Sequence, residues 1–404
     1  MNYKLSEIFE KPISGEWGNE LEEGKYGAKV IRTTNFTNMG RLNLNDIVER
    51  DIDVEKYKNK LLKLGDIIIE KSGGSPNQPV GRVVIFEENT SEKYFCNNFT
   101  SILRPKNIVN AKYSLYLLKD LYNKKRVLKY QNKTTGIINL KLNDYLNNTE
   151  IMIPSIEEQI KISTILDKSQ ELIDKRKEQI EALDELVKSK FIEMFGDPVS
   201  DSKGWKKVIC KDISLKIGSG ATPSGGNSSY KEEGISLIRS MNVHNNKFVY
   251  KDLAFIDDEQ AKKLKNVIIE ENDILLNITG ASVARCCIVP SEIIPARVNQ
   301  HVSIVRTKQD IIIPVFLCYQ FTNDTYQRML WNIATSGGAT REAITKQQVE
   351  NLEVIVPPIE LQNKFADFVK QVDKLKFEME KSLKELEDNF NSLMQKAFKG
   401  ELFN

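Results

Sequence analysis

Apolar residues recur at helical spacing through two long stretches of this chain. In the second stretch, successive apolar positions lie three or four residues apart, close to a heptad repeat, at Phe365, Phe368, Val372, Leu375, Met379, Leu383, Leu386, Phe390 and Leu393. Neither proline nor glycine interrupts residues 156–195 or 359–399. Proline precedes each stretch, and Gly196 and Gly400 follow, as is common at helix ends. The pattern predicts two long helices.

The first stretch carries a similar stripe, interrupted at Ser169 and Arg176. Its apolar members are Ile162, Ile165, Leu166, Leu172, Ile173, Ile180, Leu183, Val187, Phe191 and Met194. At about 1.5 Å per residue, a helix of about 40 residues is about 60 Å long. A globular domain of about 150 residues is too small to cover that length, so each helix needs a helical partner.

The path of the chain predicts how the helices pair. The first helix leads away from one domain, and the second begins where the next domain ends, so pairing in full register makes them antiparallel. Two alternatives stay open: each helix packs back on its own domain, or each pairs with a second chain.

The regions before the helices combine β-type runs with turn signals. The β-type runs are 66–70, 80–86, 267–277 and 284–289, and helical stretches are predicted near 113–128 and 315–331. Glycine-rich and proline-containing turns such as 72–76 and 218–223 separate the strands. Each region therefore predicts one domain of mixed helices and strands.

The two halves of the chain resemble each other. Four segments have counterparts in the same order, 202 to 207 residues further on: 30–36 and 237–243, 65–69 and 272–276, 99–104 and 301–306, and 153–159 and 356–362. This spacing indicates a tandem duplication rather than a solenoid of short repeats. The predicted fold class is α/β, with two α/β domains separated by a long antiparallel two-helix coiled coil and a pseudo-two-fold internal repeat. The predicted parts are domains 1–152 and 198–355 and spacer helices 153–197 and 356–404.

Composition narrows the class of protein. Hydrophobic residues make up 40% and charged residues 28% of the 404 residues, as in soluble globular proteins. The start has no signal-peptide pattern and the chain has no apolar run of about 18 residues, so a cytoplasmic protein is expected. The five cysteines and two histidines are not clustered, and no metal site is predicted.

Several motifs resemble the specificity subunits of type I restriction–modification systems. They are the helix starts 154–159 (PSIEEQ) and 357–362 (PPIELQ), the helix ends 195–198 (FGDP) and 398–402 (FKGEL), and the segments 205–208 (WKKV), 220–223 (GATP) and 337–344 (GGATREAI). The order of these parts covers essentially the whole chain. The first domain departs from the pattern, because 134–139 (TTGIIN) has no counterpart of Arg341.

The resemblance implies a function. The two domains would be target-recognition domains that each read one half of a bipartite, gapped DNA target, with the helix pair setting the gap. Methyltransferase subunits, two by expectation, would dock on the helices and methylate adenine, and restriction motor-nuclease subunits would join for cleavage. This chain would be non-catalytic and bind no cofactor, with S-adenosylmethionine and ATP on the partner subunits only.

The repeat separates scaffold positions from candidate base readers. Positions alike in both halves cannot read two different half-sites, so Arg32, Asn35, Arg239 and Asn242 are expected to form the scaffold or contact phosphates. Either a phosphate contact or a structural ion pair fits the two arginines. Asp66 and Asp273, which are also alike in both halves, are expected in a turn or cap before a strand.

Base readers are expected where polar, glycine-rich loops diverge. In the first domain they are Lys71, Ser72, Gly73, Gly74, Gln78, Arg82, Lys133, Thr134 and Thr135. In the second domain they are Asn277, Thr279, Arg285, Gly337, Gly338, Thr340 and Arg341. A solvated surface loop is the alternative for each residue. Because the net charge is only +2, DNA contacts must come from such local patches.

An enzyme acting alone and a non-DNA scaffold are the two alternative functions. An enzyme acting alone would need motifs that this sequence lacks, such as the phosphate loop of an ATPase or the Asn-Pro-Pro-aromatic tetrapeptide of amino-methyltransferases. A non-DNA interaction scaffold built on a coiled coil is the main alternative, although a repeat with diverged loops argues against it.

Overall fold

The computed structural model describes residues 2–75, 77–134, 137–223, 225–336 and 342–403. The chain forms two compact units. Unit 1 comprises Met1–Lys177 and Lys381–Asn404, and unit 2 comprises Glu178–Glu380. Both long helices therefore contribute one part to each unit.

Unit 1 contains short strands, three helices and parts of the two long helices. Its elements are β1 (Asn2–Lys4), α1 (Leu5–Ile8), β2 (Ile13–Ser14), β3 (Ala28–Ile31), β4 (Val48–Arg50), β5 (Ile67–Glu70), β6 (Ser72–Gly74), β7 (Val83–Ile85), β8 (Tyr94–Cys96), β9 (Thr100–Leu103), α2 (Ala111–Asn123), β10 (Gln131–Thr134), β11 (Ile137–Leu140), α3 (Leu142–Asn148), β12 (Glu150–Met152) and the first part of α4 (Ile156–Phe195). The sheet orders are β2-β9-β5-β7, β4-β3-β8, β10-β11-β6 and β1-β12. Within unit 1, all described strand pairs are antiparallel except β3 with β8.

Unit 2 is built in the same way after the end of α4. Its further elements are β13 (Lys207–Ile209), β14 (Ser214–Ser219), β15 (Ile235–Ile238), β16 (Val243–His244), β17 (Lys247–Phe248), β18 (Ala254–Ile256), α5 (Asp258–Lys263), β19 (Ile274–Asn277), β20 (Cys286–Ile288), β21 (Ala296–Val298), β22 (Val302–Thr307), α6 (Pro314–Phe321), α7 (Asp324–Thr335), α8 (Lys346–Glu350), β23 (Glu353–Ile355) and the first part of α9 (Ile359–Lys399). The sheet orders are β14-β22-β19-β20, β18-β15-β21, β13-β23 and β16-β17.

The sheet orders confirm the duplication predicted from sequence. The sheet β14-β22-β19-β20 repeats β2-β9-β5-β7, and β18-β15-β21 repeats β4-β3-β8 with its single parallel pair. Strands β5 and β19 are buried along their whole length and lie at corresponding positions. Both strands are interior strands of their sheets, so the two units share one fold.

The long helices begin and end where the sequence predicts. The hydroxyl of Ser155 accepts a hydrogen bond from the backbone N–H of Glu158 at 3.3 Å, which satisfies an N–H at the start of α4. Gly196 and Gly400 follow the two helices with φ angles of +74° and +78°, a conformation that other residues adopt at a cost. Local sequence thus determines both ends of each helix.

The helices pair with each other inside unit 1. Ile162 and Leu166 of α4 share a buried core with Met394 of α9. Further along α4, Lys177 pairs with Glu387 at 2.8 Å. Because residue numbers rise along one helix as they fall along the other, the paired parts run antiparallel.

The same pairing recurs inside unit 2. The Nζ atom of Lys376 lies 2.5 Å from an Oδ atom of Asp184. Further along α4, the Phe191 ring lies 5.5 Å from the Phe365 ring of α9. The antiparallel coiled coil predicted from sequence is confirmed within each unit, and each paired part also packs on its own domain core.

Two details differ from the sequence predictions. The predicted helix 315–331 is two helices, α6 and α7, because the Asn323 side chain caps a new helix by accepting from the N–H of Thr325 at 3.0 Å. On α9, Leu375 is 47% exposed while Val369, outside the predicted stripe, is buried. Packing on the domain core, and not only on α4, selects the buried face. No helix among the described residues is both long and apolar enough to cross a membrane.

Candidate nucleic-acid interface

Asn35 is a buried scaffold residue of unit 1. Its Oδ1 accepts a hydrogen bond from the backbone N–H of Arg32 at 2.8 Å, and its Nδ2 donates to the carbonyls of Asn43 at 3.0 Å and Asp46 at 3.2 Å. The Arg32 guanidinium donates to the carbonyl of Asp46 at 2.8 Å and to its carboxylate at 3.0 Å. These contacts hold the loop that follows β3.

Asn242 has the same role in unit 2. Its Oδ1 accepts from the backbone N–H of Arg239 at 3.1 Å, and its Nδ2 donates to the carbonyls of Val249 at 2.9 Å and Lys251 at 3.3 Å. The Arg239 guanidinium lies over the Tyr230 ring, 5.3 Å from its centre. Both asparagine side chains are therefore engaged within their units, as expected of positions that are alike in the two halves.

Asp66 and Asp273 are also structural. The Arg104 guanidinium donates to both carboxylate oxygens of Asp66, at 2.8 and 2.7 Å, and Arg306 donates to Asp273 at 2.8 Å twice. Hydrogen bonding to the carboxylate raises the pKa of each arginine above its usual value. The Asp66 carboxylate also accepts from the N–H of Lys63 at 2.8 Å, which closes the predicted turn before β5.

Polar candidates of unit 1 lie where β5 continues into β6. The Lys71 amine donates to the hydroxyl of Ser14 at 2.6 Å, and the Ser72 hydroxyl donates to the amide oxygen of Asn139 on β11 at 2.6 Å. Burial lowers the pKa of Lys71. The sheet β10-β11-β6 therefore gathers several candidates on adjacent strands.

A tight turn follows β6. The backbone N–H of Ser75 donates to the carbonyl of Gln78 at 2.8 Å, and the backbone N–H of Gln78 donates to the carbonyl of Ser75 at 3.1 Å. Gly73 faces open space, whereas a Cβ on Gly74 would lie 2.7 Å from the backbone nitrogen of Val80. The side chains of Asn77 and Gln78 in this turn are exposed. The packing of Val80 requires glycine at position 74.

The guanidinium of Arg82 is bound by other residues of unit 1. Its guanidinium donates to both carboxylate oxygens of Glu70, at 2.8 and 3.1 Å, and to the carbonyl of Thr33 at 3.4 Å. Hydrogen bonding with Glu70 raises the pKa of Arg82. The Arg82 guanidinium also lies 5.7 Å from the centre of the Phe36 ring. This arginine was predicted to read bases, and its charge is already neutralised.

Unit 2 has a cleft near the end of β19, the strand that corresponds to β5 of unit 1. Its volume is about 550 Å³, and its lining residues are Ser240, Met241, Thr279, Gly280, Ala281, Ser282, Arg285, His301, Glu342 and Ala343. The predicted base readers Thr279 and Arg285 both line this cleft. Asn277 is fully buried at the end of β19, and its Nδ2 donates to the carbonyl of Ser240 at 2.9 Å.

Sequence reasoning missed a polar chain beside this cleft. The hydroxyl of Thr279 is hydrogen-bonded to Nδ1 of His301, and Nε2 of His301 lies 3.1 Å from the amide nitrogen of Gln300. The Oε1 of Gln300 accepts from the hydroxyl of Thr222 at 2.5 Å. The signal was available in the repeat, because His301 replaces Phe99 of the first half.

Some candidates lie outside the described residues. These are Thr135, Gly337, Gly338, Thr340 and Arg341. Lys133 and Thr134 belong to strand β10. For all of these residues DNA contact stays a prediction.

Comparisons with known proteins identify the family. A family model described as the type I restriction modification DNA specificity domain matches residues 1–182 and again residues 202–388. The chain belongs to this family. The two matches correspond to the two halves of the repeat, and the resemblance predicted from the helix-end motifs is confirmed.

Two curated relatives of this specificity-domain chain come from Methanocaldococcus jannaschii. One, provisionally named the type I restriction enzyme MjaX specificity subunit, is 25% identical over 368 residues, covering 87% of this chain and 80% of the relative. The type I restriction enzyme MjaVIII specificity subunit is 24% identical over 300 residues, covering 71% and 70%.

A solved structure supports the fold. The crystal structure of a type I restriction-modification S subunit from M. genitalium matches with a TM-score of 0.55 at 16% identity. The match covers 98% of this chain and 96% of that chain. At this identity the likeness concerns the fold alone.

Proposed function

We propose that this chain is the specificity subunit of a type I restriction–modification enzyme. It binds double-stranded DNA, reads a bipartite, gapped target, and directs adenine methyltransferase and restriction subunits to it. Residues 1–152 and 198–355 are the two target-recognition domains, and 153–197 and 356–404 are the spacer helices. Family membership supports this proposal.

One observation carries the proposal. Both units hold the same buried frame, with Asp66 paired to Arg104 in one and Asp273 paired to Arg306 in the other. At the edge of that frame the side chains differ, as with Phe99 and His301. Two domains that read different half-sites need the same fold with different side chains at the DNA-contacting surface. Only residues that differ between the domains can distinguish different bases.

The partners and cofactors follow from the same proposal. Two methyltransferase subunits dock on the helix pair, and motor-nuclease subunits join the full complex. S-adenosylmethionine and ATP bind to those subunits, while this chain is non-catalytic and works in the cytoplasm. Exposed apolar side chains on the long helices support a docking role: Leu172, Leu186, Leu375 and Phe377.

Mapping methylated adenines tests the proposal. A host that expresses the methyltransferase partner with this chain is expected to acquire one gapped methylation motif, and a host without this chain is expected to lack it. Replacing residues 1–152 with the matching domain of another specificity subunit should change one half of the motif and leave the other half intact. A motif that is the same with and without this chain contradicts the proposal.

A second measurement separates this function from a non-DNA scaffold. A gel shift with a pool of random duplexes, with and without the methyltransferase partner, should show binding that weakens as salt increases, because phosphate contacts release counterions. A scaffold without DNA affinity would leave the duplexes unshifted in both arms.

A further inference from the structure

Arg82 and Arg285 occupy the same position in the two units. The backbone N–H of Glu70 donates to the carbonyl of Arg82 at 2.9 Å, and that of Asn277 donates to the carbonyl of Arg285 at 2.8 Å. Glu70 ends β5 and Asn277 ends β19. Each arginine is therefore the cross-strand neighbour of the residue that ends the buried strand.

The strand-end residue determines what its neighbouring arginine can do. In unit 1, the Glu70 carboxylate is buried and holds the Arg82 guanidinium through two hydrogen bonds. Arg82 also donates to the carbonyl of Thr33. A charge-assisted, two-point contact of this kind occupies the face of the guanidinium that would otherwise bind a base or a phosphate.

Asn277 changes this arrangement in unit 2. Its neutral amide donates to the carbonyl of Ser240, the counterpart of the Thr33 carbonyl, and so takes over the hydrogen bond that Arg82 makes in unit 1. Asn277 brings no negative charge. In unit 2 this structural hydrogen bond is therefore made by Asn277 and not by Arg285.

The charge of Arg285 in the cleft of unit 2 has no acidic partner among the described residues. The guanidinium forms no ion pair with any residue that the structure describes, and the residues outside the described ranges carry no acidic side chain. Arg285 lines the cleft of about 550 Å³ together with small residues such as Gly280 and with Glu342, whose carboxylate is not within ion-pair distance. The guanidinium of Arg285, a cation with several N–H donors, is therefore available to a ligand. In unit 1 the corresponding guanidinium of Arg82 is bound by Glu70.

We propose that Glu70 and Asn277 determine specificity through the neighbouring arginine. Glu70 binds Arg82 and keeps it from DNA, whereas Asn277 leaves Arg285 free to contact a base. Arg285 reads a guanine in the half-site of unit 2, whereas Arg82 contacts no base in the half-site of unit 1. The proposal rests on the proposed DNA-reading function and names one of its base contacts. Guanine is the expected base because its O6 and N7 atoms accept two hydrogen bonds from one guanidinium in the major groove.

Reciprocal variants test this assignment in the complete complex. The chain is expressed with its methyltransferase partner, and methylated adenines are mapped for the parent chain and for the Arg285→Ala, Asn277→Glu and Asn277→Gln variants. Arg285→Ala is expected to relax one guanine position in one half-site, with discrimination falling about 5- to 100-fold. Asn277→Glu should have the same effect by capturing Arg285, while Asn277→Gln, matched in size but neutral, should retain the guanine.

The outcomes separate this inference from the proposed function. If the parent chain directs no motif, the proposed function itself fails. If the parent motif appears and Arg285→Ala leaves every position unchanged, the assignment of Arg285 is overturned. A uniform loss of methylation across sequences also overturns it, because a phosphate contact weakens binding without relaxing any base.

Folding is controlled in the same experiment. Arg285→Ala breaks no ion pair with a residue that the structure describes, and the variant should purify with the partner as the parent chain does. Asn277→Glu places a carboxylate at a buried site. The double variant Asn277→Glu with Arg285→Ala carries the same carboxylate without the arginine, so comparing it with Asn277→Glu separates the effect of the buried charge from the capture of Arg285. If Asn277→Glu fails to purify, Arg285→Ala decides the assignment of Arg285, and Glu70→Asn decides the role of the strand-end residue. Glu70→Asn is expected to free Arg82 and change the first half-site, and an unchanged first half-site contradicts that role.

Discussion

The amide side chain of Gln159 accepts a hydrogen bond from the backbone N–H of Asn110 at 2.8 Å. The same amide donates to the carbonyls of Ile108 at 3.2 Å and Pro154 at 3.0 Å. Gln159 is 1% exposed and lies in the first turn of α4. One side chain therefore fastens the start of the helix to the loop before α2.

Gln362 repeats these three bonds in unit 2, with Ile313, Ile311 and Pro357 as partners at 2.8, 3.1 and 2.8 Å. Replacing Gln362 with leucine should lower the free energy of unfolding by about 1–3 kcal/mol, because buried backbone groups lose their partners. Urea unfolding would measure the loss. Gln371→Leu, at an exposed site on the same helix, is the control and should change stability by less than about 0.5 kcal/mol. Equal effects of the two variants would contradict the anchoring role.

The Asp66–Arg104 pair supplies a second prediction. The Asp66 carboxylate is almost wholly buried, so Arg104→Met leaves an unpaired charge in the core and should cost about 3–5 kcal/mol. The exposed pair of Lys25 with Glu22 offers a control, and Lys25→Met should cost less than about 1 kcal/mol. Chemical unfolding of both variants at neutral pH checks the difference, and an Arg104→Met chain as stable as the parent would contradict it.

Lys119 predicts a dependence of stability on pH. Burial lowers the pKa of its amine from 10.5 to about 8, and the amine donates to the carbonyl of Met39 at 2.7 Å. Below pH 8 both folded and unfolded chains carry the proton, so the burial cost is complete. As pH rises from 8 toward 10.5 the folded chain releases the proton first, and the free energy of unfolding increases.

Comparison with Lys119→Met isolates this effect from other titrating groups. Between about pH 7 and about pH 9.5, the parent chain should gain about 2 kcal/mol of stability relative to the variant. Urea unfolding at several pH values measures both chains. A difference that stays constant with pH would mean that the amine is not desolvated.

The aromatic cluster of unit 2 tests the helix pairing. Phe365 of α9 is fully buried, and its ring lies 5.5 Å from that of Phe191 and 5.6 Å from that of Phe195. Phe365→Ala should cost about 3–5 kcal/mol through lost contacts and the cavity left behind. Phe377→Ala removes the same side chain from a 65% exposed site on the same helix and should have little effect. Thermal unfolding distinguishes them, and similar losses would contradict the packing.

Much of the fold could be predicted because local signals specify it. The absence of proline and glycine from residues 156–195 and 359–399 gave the bounds of both long helices, and the repeat indicated two domains of the same kind. The break between α6 and α7 was missed although its signal is local: the polar run 322–325 (TNDT) interrupts the apolar residues, and asparagine is a preferred N-cap residue. In the structure Asn323 caps α7 by accepting a hydrogen bond from the N–H of Thr325.

The candidate site was harder to predict, because it depends on cross-strand pairing. Arg82 and Glu70 are 12 residues apart, and only the register of β5 with β7 brings their side chains together. Asn277 ends the predicted β-type run 267–277 and is the last residue of β19, but its burial was not predicted, because it was expected to read bases. Comparing Glu70 with Asn277 in the repeat could have shown that the two domains treat the neighbouring arginine differently.

The division of the chain also bears on synthesis. Unit 2 is a continuous stretch of polypeptide, whereas unit 1 includes Lys381–Asn404, whose Phe398 ring packs 5.5 Å from that of Tyr113. On the ribosome, the segment Lys381–Asn404 of unit 1 is made only after all the residues of unit 2. The N-terminal domain, although made first, must wait for the last helical turns to complete its core, and its nascent form exposes apolar surface that a chaperone can bind.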